Sequence, residues 1–362
     1  MKKAPVVFLI AFIIFFAGIL YLSEVYPYLS VNKDETLRIG MILYGAHDGR
    51  GLSESHYDAV LAVAREKGLV LEFFENVSDT DECRLRLNEL IDDGCGLIIL
   101  DSGRFAPYSR EAAISHPDIY FLNAYGTSYR DNLAIYSCRM YQASYLSGII
   151  AGLQTENNRI GYVAGYPAAY FISDIDAFAL GARKYNKDAE IYVRFGGFDN
   201  DIEAAELLIK EHDVDVLECN CYSDRSLKKA EEAGIWSIGC QRNNYNLFSW
   251  GYLTSEVCDW RGFYETQTEN VLNGTFRGNS YLLGMDTGTV ELSSLTKNVK
   301  KGISKKVEEA EEMLISNRGD VFYGPIYDSE GELRVRESES MPDRDIFNNI
   351  DWYVPGVHVD GL

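Results

Sequence analysis

The sequence predicts an α/β protein of two doubly wound lobes whose strand tips face one cleft. Three observations carry this. Short apolar strands alternate with amphipathic helices from about residue 37 onward. The same alternation starts again at Arg159. A chain of 362 residues has room for two such units.

The first stretch stands apart. "MKKAPVVFLIAFIIFFAGILYLSE" places Lys2 and Lys3 before an uncharged apolar run from Val6 to Leu22. That run is about as long as a short membrane-spanning helix, and the two lysines should stay on the cytoplasmic side. Residues 1–30 therefore read as a signal-anchor that leaves the rest of the chain outside the cell. A cleaved signal peptide is the alternative, although "FAGILYLSE" offers no small-x-small cleavage site and no cysteine for a lipid anchor.

After a linker to about Thr36, "RIGMILYG" is a buried strand. Tyr57, Val60, Leu61 and Ala64 recur at helical spacing, and Gly68 can end that helix. "LVLEFFENV" is a second strand. Cys83, Leu87, Leu90 and Ile91 form the next helix face before Gly94, then "CGLIILDSG" and "DIYFLNAYG" supply two more strands. In the second half, "RIGYVAG", "AEIYVRFGG", "VDVLECN" and "IWSIGC" are strands. Helices at Ile172–Tyr185, at Ile202–Glu211 and before Gly234 lie between them.

Sheets of this kind bind ligands beyond the carboxyl ends of their strands. The first unit then offers Tyr44, Asp48, Ser102 and Asn123 to the cleft, and the second offers Tyr166, Phe195, Asn220 and Gln241. Tyr170, Phe171 and Trp260 could add stacking faces, and Asn243 a further amide. Each aromatic could equally be core. Together they suit an uncharged planar heterocycle or a sugar.

Much else is excluded. A formal charge of −21 repels nucleic acid. The loop "GAHDGRGLS" has no G-x-G-x-x-G and no G-K-[ST], and Asp48 in it would repel a phosphate. Its glycines either let the backbone turn or shape a wall in which Asp48 and Tyr44 meet a neutral ligand. There is no G-x-S-x-G, no H-E-x-x-H and no cluster among the five histidines. Asp174 and Asp176 project to different helix faces, so they make no acid/base dyad. Seven scattered cysteines do not resemble a disulfide framework. Cys219 and Cys221 lie in an apolar strand pattern and read as small buried hydrophobes. No enzyme activity, metal or cofactor is expected.

Several segments resemble the basic membrane protein family. These are "NLAIYSCRMYQASYLSGIIAGL", "RIGYVAGYP", "DAFALGARKYNKDAEIYV", "AEEAGIWSIG", "VLNGTF", "FYGPIYDSEGEL" and "DWYVPGV", in the family's order from about Leu37 to Val357. The resemblance implies an extracytoplasmic, PnrA-like solute-binding protein of an ABC importer, with a type I periplasmic-binding-protein fold. Several members hold a purine nucleoside or base between aromatic side chains. A permease in the membrane is then the partner.

Transferred by position, the family's first-loop aromatic falls at Leu52 and its acid after the last strand of the second lobe at Gln241. Its Lys or Trp position falls at Cys258, and the Glu of its first hinge helix at Gln142. Asp48 and Phe198–Asp199 are retained. The implied three-crossing hinge lies near Asp131, Tyr252–Ser255 and Gly284–Thr289. That divides the chain into lobe 1 (37–130 with 252–285) and lobe 2 (131–251 with 286–362). A membrane-anchored sensory ectodomain is the alternative function.

Overall fold

Ile39, Met41, Ile42 and Leu43 are all fully buried, which is what a strand covered on both faces requires. The first three belong to β1 (Arg38–Ile42), where the computed structural model enters its first sheet, and Leu43 directly follows it. The structure describes residues 36–47, 51–197, 200–221, 224–248, 250–316 and 318–361. The expected membrane helix at 1–30 lies outside these. Among the described residues no helix is long and apolar enough to cross a membrane.

From β1 the chain runs through α1 (Leu52–Lys67), β2 (Val70–Phe74), α2 (Asp81–Asp92), β3 (Leu97–Leu100), α3 (Ala106–Ser115), β4 (Tyr120–Ala124) and β5 (Leu133–Cys138). Gly68 closes α1 in the left-handed region at φ 66°, its N–H bonded to the Ala64 and Arg65 carbonyls. All four residues of β3 are buried, whereas β2 is only partly covered because it forms the sheet edge.

The second sheet begins after α4 (Met140–Gln154). It is built from β6 (Arg159–Ala164), α5 (Ala169–Tyr185), β7 (Glu190–Phe195), α6 (Asp201–His212), β8 (Val216–Asn220), α7 (Arg225–Ala233), β9 (Trp236–Gly239) and β10 (Tyr252–Cys258). The chain returns to the first lobe with α8 (Arg261–Leu272) and β11 (Ser280–Leu283), then goes back through β12 (Val290–Leu292) and α9 (Ile303–Ile315). A small antiparallel pair, β13 (Ile326–Tyr327) and β14 (Leu333–Val335), precedes α10 (Asp343–Asn348) and β15 (Val357–Val359).

The first sheet has the order β11-β5-β4-β3-β1-β2, parallel throughout. The second has the order β12-β10-β9-β8-β6-β7-β15, with only β12 antiparallel. These pairings move the crossings from their expected places. β5 pairs with β4 in the first sheet, so the first crossing follows Cys138 and not Asp131. β10 pairs with β9 in the second sheet, so the second crossing follows Cys258 and not Tyr252. The third lies between β11 and β12. β5 and β10 run on to the cleft because each must pair along its full length before its backbone groups are satisfied.

α4 and α5 pack with their backbones nearly touching. A Cβ at Gly148 would collide with the Phe178 carbonyl, and one at Gly181 with the Tyr145 carbonyl. Glycine at both positions is what brings the hinge helix α4 against the second lobe. All seven cysteines are free and buried; Cys83 and Cys95 lie in the first-lobe core, and Cys219 and Cys221 in the second.

Candidate functional site

The strand tips of the two sheets meet at a cavity of about 910 Å³. Tyr44 and Gly45 reach it from the end of β1, Asp101 to Arg104 from β3, and Tyr125 from β4. Tyr166 comes from β6, Asn220 from β8 and Gln241 from β9. The first turns of α1 and α5 add Leu52, Ser53, Tyr170 and Phe171. Eight of the eleven expected site residues therefore line one space: Tyr44, Leu52, Ser102, Tyr166, Tyr170, Phe171, Asn220 and Gln241.

Three do not. Asp48 lies outside the described residues. Asn243 is exposed, and its side-chain oxygen accepts from the Tyr245 N–H at 3.0 Å, closing a turn. Trp260 is fully buried inside the first lobe, stacked on His56 at 4.7 Å and edge-on to Tyr136. It follows the second crossing and turns into the core because an indole gains more from full burial than from a cleft wall. Asn123 is buried too, its amide bonded to Ser109 and to the Ser102 carbonyl. It braces the wall from behind.

The carboxyl of Asp101 organises the first-lobe wall. It accepts the Tyr44 N–H at 2.9 Å and the Ser53 hydroxyl at 2.5 Å, and Ser53 Oγ in turn accepts the Gly45 N–H at 2.9 Å. Burial raises the Asp101 pKa to about 7, against the lowering effect of those bonds. Arg104 pairs with Asp79 at 3.0 Å and sits 5.3 Å from the centre of the Tyr44 ring.

In the second lobe, Asn220 is held by Tyr162 (2.9 Å), Asp174 (3.1 Å) and Cys240 (3.4 Å). Burial, with the nearby Glu256 second, pushes the Asp174 carboxyl well above the usual carboxylate range. Arg225 pairs with Asp201. The two lining arginines are thus each paired with a carboxylate, and burial shifts both Asp101 and Asp174 toward their neutral forms.

Aromatic surface is concentrated where the lobes meet. Tyr125 of the first lobe and Tyr170 of the second have ring centres 6.0 Å apart, and Tyr170 lies 4.7 Å from Phe171. In the lining of the same cavity Gln241, at φ 70°, carries a buried Oε1 with no partner among the described residues. An unpartnered buried amide oxygen is costly unless something donates to it.

Asp101, Tyr125, Asp174 and Arg225 were not foreseen as lining residues. Asp101 adjoins Ser102 at a strand end, so the strand-tip rule reaches it. Tyr125 lies one residue beyond β4 by the same rule. Asp174 faces the cleft only because α5 begins at Ala169, which periodicity does not reveal. Elsewhere, Glu211, His212 and Asp360 converge at the far edge of the second sheet, where Arg194 pairs with both acids.

Comparison with known proteins agrees with this geometry. The family described as "ABC transporter substrate-binding protein PnrA-like" matches residues 36–323. A putative ABC transporter glucose-binding protein of Haloferax volcanii is 29% identical, over 83% of this chain and 78% of that one. A purine-binding protein of Brucella abortus is 26% identical, over 91% and 95%. The crystal structure of an ABC transporter solute-binding protein from Aeropyrum pernix superposes with a TM-score of 0.70 at 19% identity, covering 78% of this chain and 92% of that one. The chain belongs to the PnrA-like family of ABC transporter substrate-binding proteins.

Proposed function

We propose that the interlobe cleft binds an uncharged purine nucleoside or nucleobase and delivers it to an ABC permease. The observation that carries this reading is the aromatic group Tyr125, Tyr170 and Phe171 lining the same cavity as the unpartnered Gln241 oxygen. A planar heterocycle can stack on the rings and donate an N–H to the amide. The cavity volume of about 910 Å³ is within the range of small-molecule sites. The Brucella relative is named for purine binding. Leu52 lines the cavity where many members carry an aromatic, so stacking here falls to the tyrosines.

Titration calorimetry with adenosine, inosine, guanosine, hypoxanthine and glucose tests the reading. Saturable binding of a purine is the expected outcome. Binding of glucose alone would replace it with the specificity that names the Haloferax relative.

The same reading keeps the N-terminal segment as an uncleaved anchor. Alkaline carbonate washing of membranes should leave the full chain in the pellet; release into the wash contradicts the anchor. No feature of the described residues favours the sensory alternative.

A further inference from the structure

Two of the three crossings start from a cysteine. Cys138 is the last residue of β5 and Cys258 the last residue of β10. Cys258 Sγ donates to Cys138 Sγ at 2.8 Å, although the residues are 120 apart in sequence and belong to different sheets. A disulfide bond is about 2.05 Å long, so a closure of about 0.8 Å joins them. Cys138 lines the ligand cavity, whereas Cys258 is sealed behind it. Around the Cys138 sulfur stand the Tyr125 hydroxyl at 3.6 Å and the N–H of Met140, which opens α4.

We propose that Cys138 and Cys258 form a reversible disulfide that staples the hinge, with a small peroxide entering through the ligand cleft as the oxidant. Cys138 is the attacking sulfur. Its thiol is shifted down, first by the Cys258 hydrogen bond and then by Tyr125 and the Met140 N–H, against the effect of burial. Burial pushes Cys83, Cys95, Cys219, Cys240 and Cys258 up.

In the first step Cys138 attacks one oxygen of hydrogen peroxide. The O–O bond breaks, and the departing hydroxide takes the thiol proton and leaves as water. Cys138 is then a sulfenic acid, oxidised by two electrons while the peroxide is reduced by two. Cys258 next attacks the Cys138 sulfur. The S–O bond breaks, and the hydroxide leaves with the Cys258 proton as a second water. Two thiols and one peroxide give one disulfide and two waters. The new bond ties the ends of β5 and β10, leaving the crossing after Leu283 as the one still able to turn independently.

The test uses the full chain, treated with hydrogen peroxide, alkylated under denaturing conditions and digested with trypsin without reductant. Cys138 falls in peptide 131–139 and Cys258 in peptide 243–261, each with no other cysteine. A linked pair of these two peptides, released by dithiothreitol and lost in both Cys138→Ser and Cys258→Ser, supports the proposal. Full alkylation of both peptides, a sulfinic acid at Cys138 without a link, or pairing of either with another cysteine overturns it. Hydrogen exchange reads the hinge itself. Amides at residues 139–140 and 259–260 should exchange more slowly in the oxidised wild type, with no such change in peroxide-treated Cys138→Ser. Equal exchange in oxidised and reduced wild type overturns the staple.

Discussion

Glu54 of α1 and Arg242 after β9 form an ion pair that joins the two lobes across the cleft. Both side chains are mostly covered, and Asp224 lies 3.9 Å from the same guanidinium. A pair that spans the cleft favours the closed arrangement of the lobes over an open one. Replacing Arg242 with Ala should open the ligand-free protein, seen as a larger radius of gyration by small-angle scattering. Affinity should fall about fivefold, the effect of losing roughly 1 kcal/mol from a partly covered pair. The swap Glu54→Arg with Arg242→Glu should recover most of the loss; an unchanged radius in Arg242→Ala would show that the pair does not govern closure.

Tyr170 presents its ring between the lobes. Tyr170→Ala should weaken ligand binding about tenfold, on the order of 1.4 kcal/mol for one lost stacking face, while Tyr170→Phe stays within about twofold. Calorimetry on both variants checks this, with circular dichroism confirming the fold.

Trp260 should behave in the opposite way. Because it is fully buried on His56, Trp260→Ala should cost about 3 kcal/mol or more of stability by denaturant titration. The folded fraction should bind ligand with unchanged affinity. A selective loss of affinity without loss of stability would return Trp260 to the cleft.

Stability should fall as pH rises from about 4 to 7. Asp101 moves from 3.8 to about 7 and Glu256 from 4.5 to about 7, both chiefly through burial. The native state holds these protons and the unfolded chain releases them, so the contribution is present below pH 4 and is lost by pH 7. His56 opposes this: burial lowers it from 6.5 to about 3, so its contribution is lost as pH falls through that window. Two carboxyls outweigh one imidazole over a similar shift. The slope of melting temperature against pH should therefore be negative between pH 4 and 7 and shallower in Glu256→Gln. A flat or rising profile contradicts the assignment.

The α4–α5 contact should tolerate no side chain. Gly181→Ala drives a methyl into the Tyr145 carbonyl and should destabilise by about 3 kcal/mol, measured by urea unfolding.

What could be read from the residues follows physical range. Strands such as Leu97–Leu100 are apolar and bounded by glycine, so they announce themselves locally. β5 does not, because only residues 125–132 connect it to its parallel neighbour β4 and no helix marks the change. β10 likewise mixes Thr254, Ser255 and Glu256 into a buried strand, and Glu256 is tolerated only because Ser144 and Ser147 of α4 bond it. The cleft wall was legible two residues beyond a strand end, as with Tyr44, Ser102, Tyr166 and Gln241. It failed at Phe195, the last residue of β7, which is not among the lining residues, and at Trp260, whose position depends on how α8 packs against α1.

The most direct test of the central claim is mass spectrometry of small molecules released when gently purified protein is denatured. A purine nucleoside or base in near-stoichiometric amount is the predicted result. Recovery of a sugar or a charged metabolite in its place would contradict it.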